Sequence, residues 1–190
     1  MPTHQLNFKS TNQTWTLKAE DAGYTGYPNS GQFSIYNGAT KLWSITESGF
    51  VEKPGIPRFL AKFVGFNTTT TYVSPTYNSV FYNVGGHFNS SNGLFTCPYP
   101  GSYLFMASFL RNSTSVVFRG NYYLNGSRYG LGEYRTTEGF AGYNESSSLV
   151  GIIEADVGDY VEWRISSDSA SSIYSSSNNH YNYFNGIFLG

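Results

Sequence analysis

The segment Gly101–Leu110 is apolar on both faces of the β-strand that its pattern predicts. Side chains alternate between the two faces of a strand, and here both alternating sets are apolar. One set is Tyr103, Phe105, Ala107 and Phe109, and the other is Leu104, Met106 and Leu110. Leu149–Ile153 and Phe184–Leu189 have the same character. Such strands are typical of the centre of a sheet that is covered on both sides.

The segment Tyr160–Ile165 has a different pattern, with one apolar and one polar face. Val161, Trp163 and Ile165 alternate there with Glu162 and Arg164, which predicts one face in the core and one in water. Together the two patterns predict a β-sandwich in which one sheet keeps an apolar outer face. A single domain of this size has no further element to cover that face, so we expect more copies of the chain to cover it. The alternative is a monomer with an unusually apolar core.

The segment Pro54–Pro57 divides the chain into two parts. Its two prolines fix the backbone and pair poorly in a sheet, so we interpret it as a semi-rigid joint between residues 1–56 and residues 57–190. The first part predicts a β-rich neck, whose pieces are too short and too few to build a core of their own unless three chains intertwine. These pieces are Leu6–Phe8, Thr14–Lys18, Gln32–Tyr36, Lys41–Ile45 and Gly49–Val51.

Composition favours an all-β protein and argues against two classes of partner. Charged residues make up 12% of the 190 residues and aromatic residues 18%, and no segment has sustained helical periodicity. The net charge is -1 and there is no basic stripe to neutralise phosphates, so we expect no nucleic-acid partner. No apolar run is long enough to span a bilayer, so we expect no membrane insertion.

The sequence contains no pattern that indicates catalysis or a bound cofactor. Cys97 is the only cysteine, and we expect it to be a small core residue rather than a reactive thiol. The three histidines are scattered, so we predict no catalytic residue, no metal site and no cofactor. Two alternatives stay open, namely a calcium ion near Asp156, Asp159 and Glu162, and an ion bound by three copies of His87 on a trimer axis.

A regularly spaced set of residues lies between positions 77 and 107. Its members follow one another at intervals of six, five, seven, six, two and two residues, and they are Tyr77, Asn83, Phe88, Phe95, Gly101, Tyr103 and Phe105. This spacing resembles the signature of the globular C1q head domain, whose fold is shared with tumour necrosis factor. Tyr77 stands where that family has Phe, and Ala107 replaces its last aromatic residue.

The resemblance covers about residues 57–190 and implies a ten-stranded jelly-roll sandwich of the C1q/TNF-like class. It also implies a homotrimer in which three jelly rolls pack around a threefold axis with their inner sheets facing each other. This implication agrees with the apolar outer face that the strand patterns predict.

A second resemblance concerns the neck. The segment Gly31–Pro54 resembles the neck or shaft regions that precede the tips of bacteriophage tail fibres. It implies a viral tail-fibre protein, extracellular as part of the virion, whose N-terminal end joins the remainder of a fibre. Residues 1–5 lack the basic start and apolar core of a signal peptide, which agrees with this interpretation.

Three loops at the end of the head far from the neck predict a binding surface. Because successive antiparallel strands alternate in direction, residues 111–115, 135–147 and 166–182 fall at that end. They are rich in Tyr, Ser, Asn and Gly, the composition of antibody loops, which suits a host cell-surface receptor such as a glycan. The candidate ligand-binding residues are Arg111, Tyr134, Arg135, Tyr143, Asn144, Tyr174, Asn178, Asn179, His180 and Tyr181.

Host adhesion through these loops is the favoured function, and two others stay open. The head could act chiefly as a structural trimerisation cap that locks a fibre. The chain could also be a secreted or spore-surface C1q-like lectin. We do not expect an enzyme such as a depolymerase, since catalysis needs paired carboxylates or an activated nucleophile in a cleft.

Overall fold

The computed structural model describes residues 4–9, 14–20, 32–46, 48–111, 116–130, 134–135, 146–174 and 181–190. All regular secondary structure in these ranges is β-strand, which confirms the all-β prediction. These ranges contain no helix with the length and hydropathy that crossing a membrane requires. The chain forms two compact units, Met1–Ile56 and Pro57–Gly190.

The N-terminal unit is an antiparallel sheet in which consecutive strands are neighbours. Its strands are β1 (His4–Lys9), β2 (Thr14–Glu20), β3 (Gln32–Asn37), β4 (Thr40–Ile45) and β5 (Val51–Glu52). They coincide with or overlap the five β-patterns of the sequence. A tight turn joins β3 to β4, and Gly38 in this turn has a φ of 58°, which a residue without Cβ adopts easily. Among its described residues this unit is a single layer.

The C-terminal unit, called the head below, contains all the remaining strands of the described residues. They are β6 (Arg58–Lys62), β7 (Phe66–Thr68), β8 (Ser79–Val84), β9 (Phe88–Asn89), β10 (Leu94–Thr96), β11 (Gly101–Leu110), β12 (Phe118–Leu124), β13 (Ser127–Arg128), β14 (Tyr134–Arg135), β15 (Ser146–Ala155), β16 (Tyr160–Ser167), β17 (Ser171–Ile173) and β18 (Tyr183–Phe188).

Two antiparallel sheets build the jelly roll that the sequence predicts. Sheet I has the strand order β15-β11-β18-β6-β8, and sheet II has the order β13-β12-β16-β10-β9 with β14 paired to β12. Sheet I therefore has five strands and sheet II has six, where the sequence predicts ten in total, because the short β14 extends sheet II. The strands β7 and β17 form a separate pair.

Aromatic rings fill the space between sheets I and II. Phe59 and Phe105 of sheet I and Phe95 and Trp163 of sheet II are all fully buried. The rings of Phe59 and Phe95 stack across the core with their centroids 5.1 Å apart. Burial of such large side chains supplies the main stabilisation of a sandwich of this kind.

The two departures from the family signature are both accommodated in this core. Tyr77 is 5% exposed, and its ring centroid lies 5.1 Å from that of Phe88, so an aromatic ring still fills the position. Ala107 is fully buried and pairs with Leu149 on β15 and Phe184 on β18. Replacing an aromatic residue by Ala107 therefore leaves the β11 ladder intact.

The head has a base and a tip, which the strand directions define. The base is the end at which β6 begins with Arg58, and the tip is the opposite end, where Leu110 ends β11 opposite Ser146 of β15. The predicted strand directions are confirmed for the described residues. The hairpin turn Asn125–Gly126 lies at the base, and β16 ends at the tip with Ser167.

The outer face of β16 is largely covered, although its alternation predicts a wet face. Glu162 is only 5% exposed, and Arg164 donates a hydrogen bond of 2.6 Å to its carboxylate. This bond raises the pKa of the Arg164 guanidinium, which also lies 4.2 Å from the centroid of the Tyr123 ring. The polar side chains of this face cover one another, and a pattern of single residues does not reveal such mutual burial.

Candidate binding surface at the tip of the head

Asn182 joins three chain segments at the tip and is fully buried. Its side-chain Nδ2 donates a hydrogen bond of 2.8 Å to the carbonyl of Tyr174, and its Oδ1 accepts one of 2.8 Å from the amide of Leu110. Its own carbonyl accepts a bond of 3.2 Å from the amide of Phe63. Asn182 therefore holds the segments that follow β6, β11 and β17 against the start of β18.

Ser167 and Asp168 fix the neighbouring part of the tip. The buried Ser167 hydroxyl donates a hydrogen bond of 2.7 Å to the carbonyl of Ser169, and its oxygen lies 2.7 Å from the hydroxyl oxygen of Thr68. The amide of Asp168 donates to the carbonyl of Val117, and the amide of Val117 donates to Oδ1 of Asp168, both at 3.1 Å. The end of β16 is thereby tied to β7 and to the segment before β12.

Two of the candidate ligand-binding residues lie beside this frame. Tyr181 directly precedes Asn182 and is 50% exposed. Tyr174 is half-buried, its amide donates a hydrogen bond of 2.8 Å to the carbonyl of Leu110, and its carbonyl is the one that Asn182 binds. The structure therefore brings Tyr174 and Tyr181 to one anchored region of the tip, where Tyr181 exposes half of its surface to solvent.

Arg111 differs from the sequence expectation of an exposed loop residue. It is fully buried and forms an isolated β-bridge with Ile173. The bridge pairs the backbone of Arg111 with that of β17 beyond the end of β11. Sequence position alone indicates the end of a strand here, and only the long-range pairing with β17 reveals the burial.

The other candidate residues are described in part or not at all. The backbone of Tyr134 and Arg135 forms β14, which pairs with Gly120 and Arg119 of β12. The remaining candidates lie outside the described residues, and they are Tyr143, Asn144, Asn178, Asn179 and His180. Sequence reasoning missed Asn182, Ser167 and Asp168 because they stand in a run of similar Ser, Asn and Asp residues with no periodicity to separate anchors from surface positions.

A second surface is the outer face of sheet I, where two rows of side chains cross all five strands. The rows are Val150, Met106, Asn185, Leu60 and Tyr82, and Ile152, Leu104, Ile187, Arg58 and Val84. Val150 is 53% exposed, Ile152 is 50% exposed and Tyr82 is 44% exposed. The apolar outer face that the sequence predicts is therefore present in sheet I.

Ionisable groups near the base of the head have structural roles. Cys97 is fully buried, and this burial together with the nearby Asp159 raises the pKa of its thiol to about 12. The Asp159 carboxylate accepts hydrogen bonds of 2.7 Å from Nδ2 of Asn125 and 2.8 Å from the amide of Asp156, and these bonds lower its pKa. The described residues contain no group of three or more His, Cys, Asp or Glu that could hold a metal.

Comparison with protein families identifies the head. A family model described as the C1q domain matches residues 59–189 of this chain. No curated protein sequence matches the chain. The family match covers the strands of the head from β6 to β18, together with the spaced aromatic, Asn and Gly residues.

Solved structures with the same fold include a complement domain, murine APRIL and Eiger TNF. The globular domain of zebrafish complement 1qA protein is 18% identical, with a TM-score of 0.53 over 70% of this chain and 98% of that chain. Murine APRIL is 14% identical, with a TM-score of 0.54 over 70% and 99%. Eiger TNF from S. frugiperda is 8% identical, with a TM-score of 0.55 over 72% and 94%. At these identities the similarity shows the fold alone.

Proposed function

Since this chain belongs to the C1q domain family, we propose that it is a homotrimeric binding protein at the distal end of a bacteriophage tail fibre. Its head attaches to a host cell-surface glycan or protein through the tip, and its N-terminal end joins the remainder of the fibre. It acts outside the cell, as part of the virion. The tail-fibre context is supported by the resemblance of Gly31–Pro54 to fibre necks.

The apolar outer face of sheet I is the observation that carries the trimer. Val150 and Ile152 expose half of their surface or more in the single chain, next to the apolar Leu104 and Met106. A contiguous apolar patch on a soluble protein marks an interaction surface. Three copies that turn these faces toward a common axis bury the patch on every copy, whereas a single copy leaves it in water.

The anchored tip supports the binding role. Tyr181 presents a half-exposed ring next to Asn182, whose three hydrogen bonds fix the backbone on which the ring stands. Tyr combined with Ser and Asn is the composition that antibody loops use for polar targets, and the sequence before Tyr181 has this composition. Three tips on one trimer bind a repetitive glycan surface together, so that weak single sites give strong attachment.

Binding of the full chain to an array of bacterial surface polysaccharides tests this function. Replacing Tyr181 by Ala is expected to weaken binding about tenfold, the loss that truncating an aromatic hot-spot residue typically causes. Tyr99→Ala is the matched control, because Tyr99 is 52% exposed and lies in the turn before β11, at the base. Unchanged binding by Tyr181→Ala, with a loss for Tyr99→Ala, would move the binding surface away from the tip.

The trimerisation cap is the second candidate, because the apolar face of sheet I accounts for assembly without any ligand. In that case the full chain forms trimers and binds no polysaccharide on the array. A C1q-like lectin outside a virus has the same head, and the genes beside the coding sequence distinguish it. Tail and capsid genes support the fibre, and their absence supports the lectin.

A further inference from the structure

The sheet of the N-terminal unit separates apolar from polar residues across its two faces. On one face, Leu17 of β2 is paired with Leu6 of β1 and Ile35 of β3, and Ile35 is paired with Trp43 of β4. This face is called the neck face below, and its described apolar residues are Leu6, Phe8, Trp15, Leu17, Ala19, Phe33, Ile35, Trp43, Ile45 and Val51.

The opposite face is polar, and its side chains contact one another. The Lys41 ammonium lies 2.9 Å from the Glu52 carboxylate, which also accepts a hydrogen bond of 2.8 Å from the Ser44 hydroxyl. The Lys18 ammonium lies 4.3 Å from the centroid of the Tyr36 ring. These long side chains cover the small ones between them, so that Ser44 is fully buried on the polar face.

The neck face is apolar and exposed in the single chain, whereas a sheet in water normally buries its apolar face. Leu6 is 57% exposed, Phe8 is 53% exposed, Val51 is 56% exposed and Phe33 is 43% exposed in the single chain. A β-sheet is stable when its apolar face packs against a second layer. Among the described residues the N-terminal unit has one layer, so the neck face requires a cover from outside that layer.

We propose that the neck face is covered by the same face of the other copies of this chain, in a neck of three sheets around a threefold axis. This inference rests on the trimer of the proposed function and extends it to the N-terminal unit. The neck interface is separate from the outer face of sheet I and has its own set of side chains.

Charge is the first reason that a second copy fits this face. A symmetric contact places a residue near its own counterpart or near its neighbours in an identical chain, so a charged face meets like charges. The described positions of the neck face carry no charged residue, whereas Lys18, Lys41 and Glu52 all lie on the opposite face. The neck face therefore packs against itself without bringing like charges together.

Chain connection is the second reason. Only residues 53–57 separate β5 from β6, so a trimer of heads keeps three N-terminal sheets within a short distance of one another. A short linker gives tethered modules a high effective concentration, about millimolar for flexible linkers. An apolar face that is exposed at such a concentration associates with its tethered copies before it meets another protein.

Thiol labelling of two single-cysteine additions to the full chain tests the proposal. Phe33→Cys puts a thiol on the neck face, and Lys18→Cys puts one on the polar face of the neighbouring strand β2. The native Cys97 stays silent, since it is fully buried and its thiol has a pKa of about 12. In a lone chain Phe33 is 43% exposed and Lys18 is less exposed, so Phe33→Cys labels at least as fast as Lys18→Cys.

In the trimer we expect the opposite order. Phe33→Cys reacts with a maleimide at least about tenfold more slowly than Lys18→Cys, since labelling then requires the neck to open. A second readout needs no substitution. Of the three tryptophans Trp163 is fully buried, whereas Trp15, 39% exposed in the single chain, and Trp43 lie on the neck face, so in the trimer we expect acrylamide to quench the tryptophan fluorescence no more than that of a buried indole.

Sedimentation of the same samples separates the two proposals. If the unmodified chain sediments as a monomer, the homotrimer of the proposed function is wrong, and the neck trimer fails with it. If the chain is trimeric but Phe33→Cys labels as fast as Lys18→Cys and the tryptophan fluorescence is readily quenched, the neck proposal alone is overturned. A trimer with a protected Phe33→Cys and shielded tryptophan fluorescence supports both.

Discussion

At the scale of single residues, the tip depends on a buried amide that no sequence pattern marks. Asn182 uses both ends of its side chain, since Nδ2 donates to Tyr174 and Oδ1 accepts from Leu110. Only Asn or Gln has a donor and an acceptor of this kind on one planar group. Its position between Tyr181 and β18 makes it the anchor of the proposed binding surface, although its own side chain is withdrawn from solvent.

Replacing Asn182 by Ala is expected to lower the free energy of unfolding by about 2–4 kcal/mol. The substitution leaves the Leu110 amide and the Tyr174 carbonyl without their partner, and an unsatisfied buried polar group costs about 1–3 kcal/mol. Urea denaturation at a fixed chain concentration measures the change. Asn92→Ala is the control, because exposed Asn92 makes one local hydrogen bond to the amide of Leu94, and we expect a change within about 0.5 kcal/mol. Equal losses for the two variants would contradict the anchoring role.

Residue identity predicted the fold of the head better than it predicted the tip. The spaced set that includes Phe88, Phe95 and Tyr103 has rigid chemical requirements, because each ring fills one place between two sheets. The tip residues have no such requirement in sequence. Arg111 and Tyr181 both stand in polar loops, yet the first is fully buried and the second is half exposed. Long-range pairing decides between these environments, and the alternation of residues along the chain gives no information about that pairing.

At the scale of strands, alternation predicted which faces are apolar and failed where polar residues cover one another. The outer face of sheet I was predicted from Gly101–Leu110 and Leu149–Ile153, because a strand with two apolar faces is typical of a sheet that is covered on both sides. On β16, however, Glu162 is buried by its contact with Arg164 and by the ring of Tyr123 beside it. A polar residue in a strand can be wet or paired, and its sequence neighbours do not distinguish these states.

Gly186 in β18 shows how tightly one strand fits its neighbours. A Cβ at this position would lie 2.6 Å from ring atoms of Phe105 and 2.8 Å from a ring atom of Phe59, both of which are fully buried. Gly186→Ala is therefore expected to destabilise the head by about 1–3 kcal/mol, the usual cost of overpacking a core. Thermal unfolding measures the change.

Gly130→Ala is the control for this substitution, because no atom lies within 4 Å of the Cβ that it adds. We expect Gly130→Ala to leave the melting temperature nearly unchanged. If Gly186→Ala is equally harmless, then the rings of Phe59 and Phe105 can move apart and sheet I is less rigidly packed than its geometry indicates.

At the scale of the whole molecule, each unit keeps one apolar surface that its described residues do not cover. In the head this surface is the outer face of sheet I, with Val150 and Ile152 exposed, and in the N-terminal unit it is the neck face, with Leu6 and Phe8 exposed. Symmetric assembly of several copies of the chain would bury both surfaces and so explain both. The family fold and the outer face of sheet I were predictable from sequence because they depend on local spacing and on strands with two apolar faces, whereas the continuous neck face is defined only by the register in which β1 to β5 pair.

Met106→Glu tests this assembly in the head. Met106 lies in the middle of sheet I, paired with Val150 and Asn185, so in the proposed trimer a carboxylate there is forced into an apolar interface on all three copies. An unpaired charge buried in an interface costs several kcal/mol per chain, so we expect the trimer to dissociate at micromolar concentration, with a rise of at least about tenfold in its dissociation constant. Sedimentation velocity measures the change, and circular dichroism checks that the β-structure is kept.

Thr96→Glu is the matched control, since exposed Thr96 lies on β10 of sheet II. If Met106→Glu keeps the dissociation constant of the unmodified chain, as we expect of Thr96→Glu, the outer face of sheet I is not the interface. If both variants dissociate alike, added negative charge rather than burial of Met106 drives the loss, and the assignment of the interface to sheet I fails in that case too.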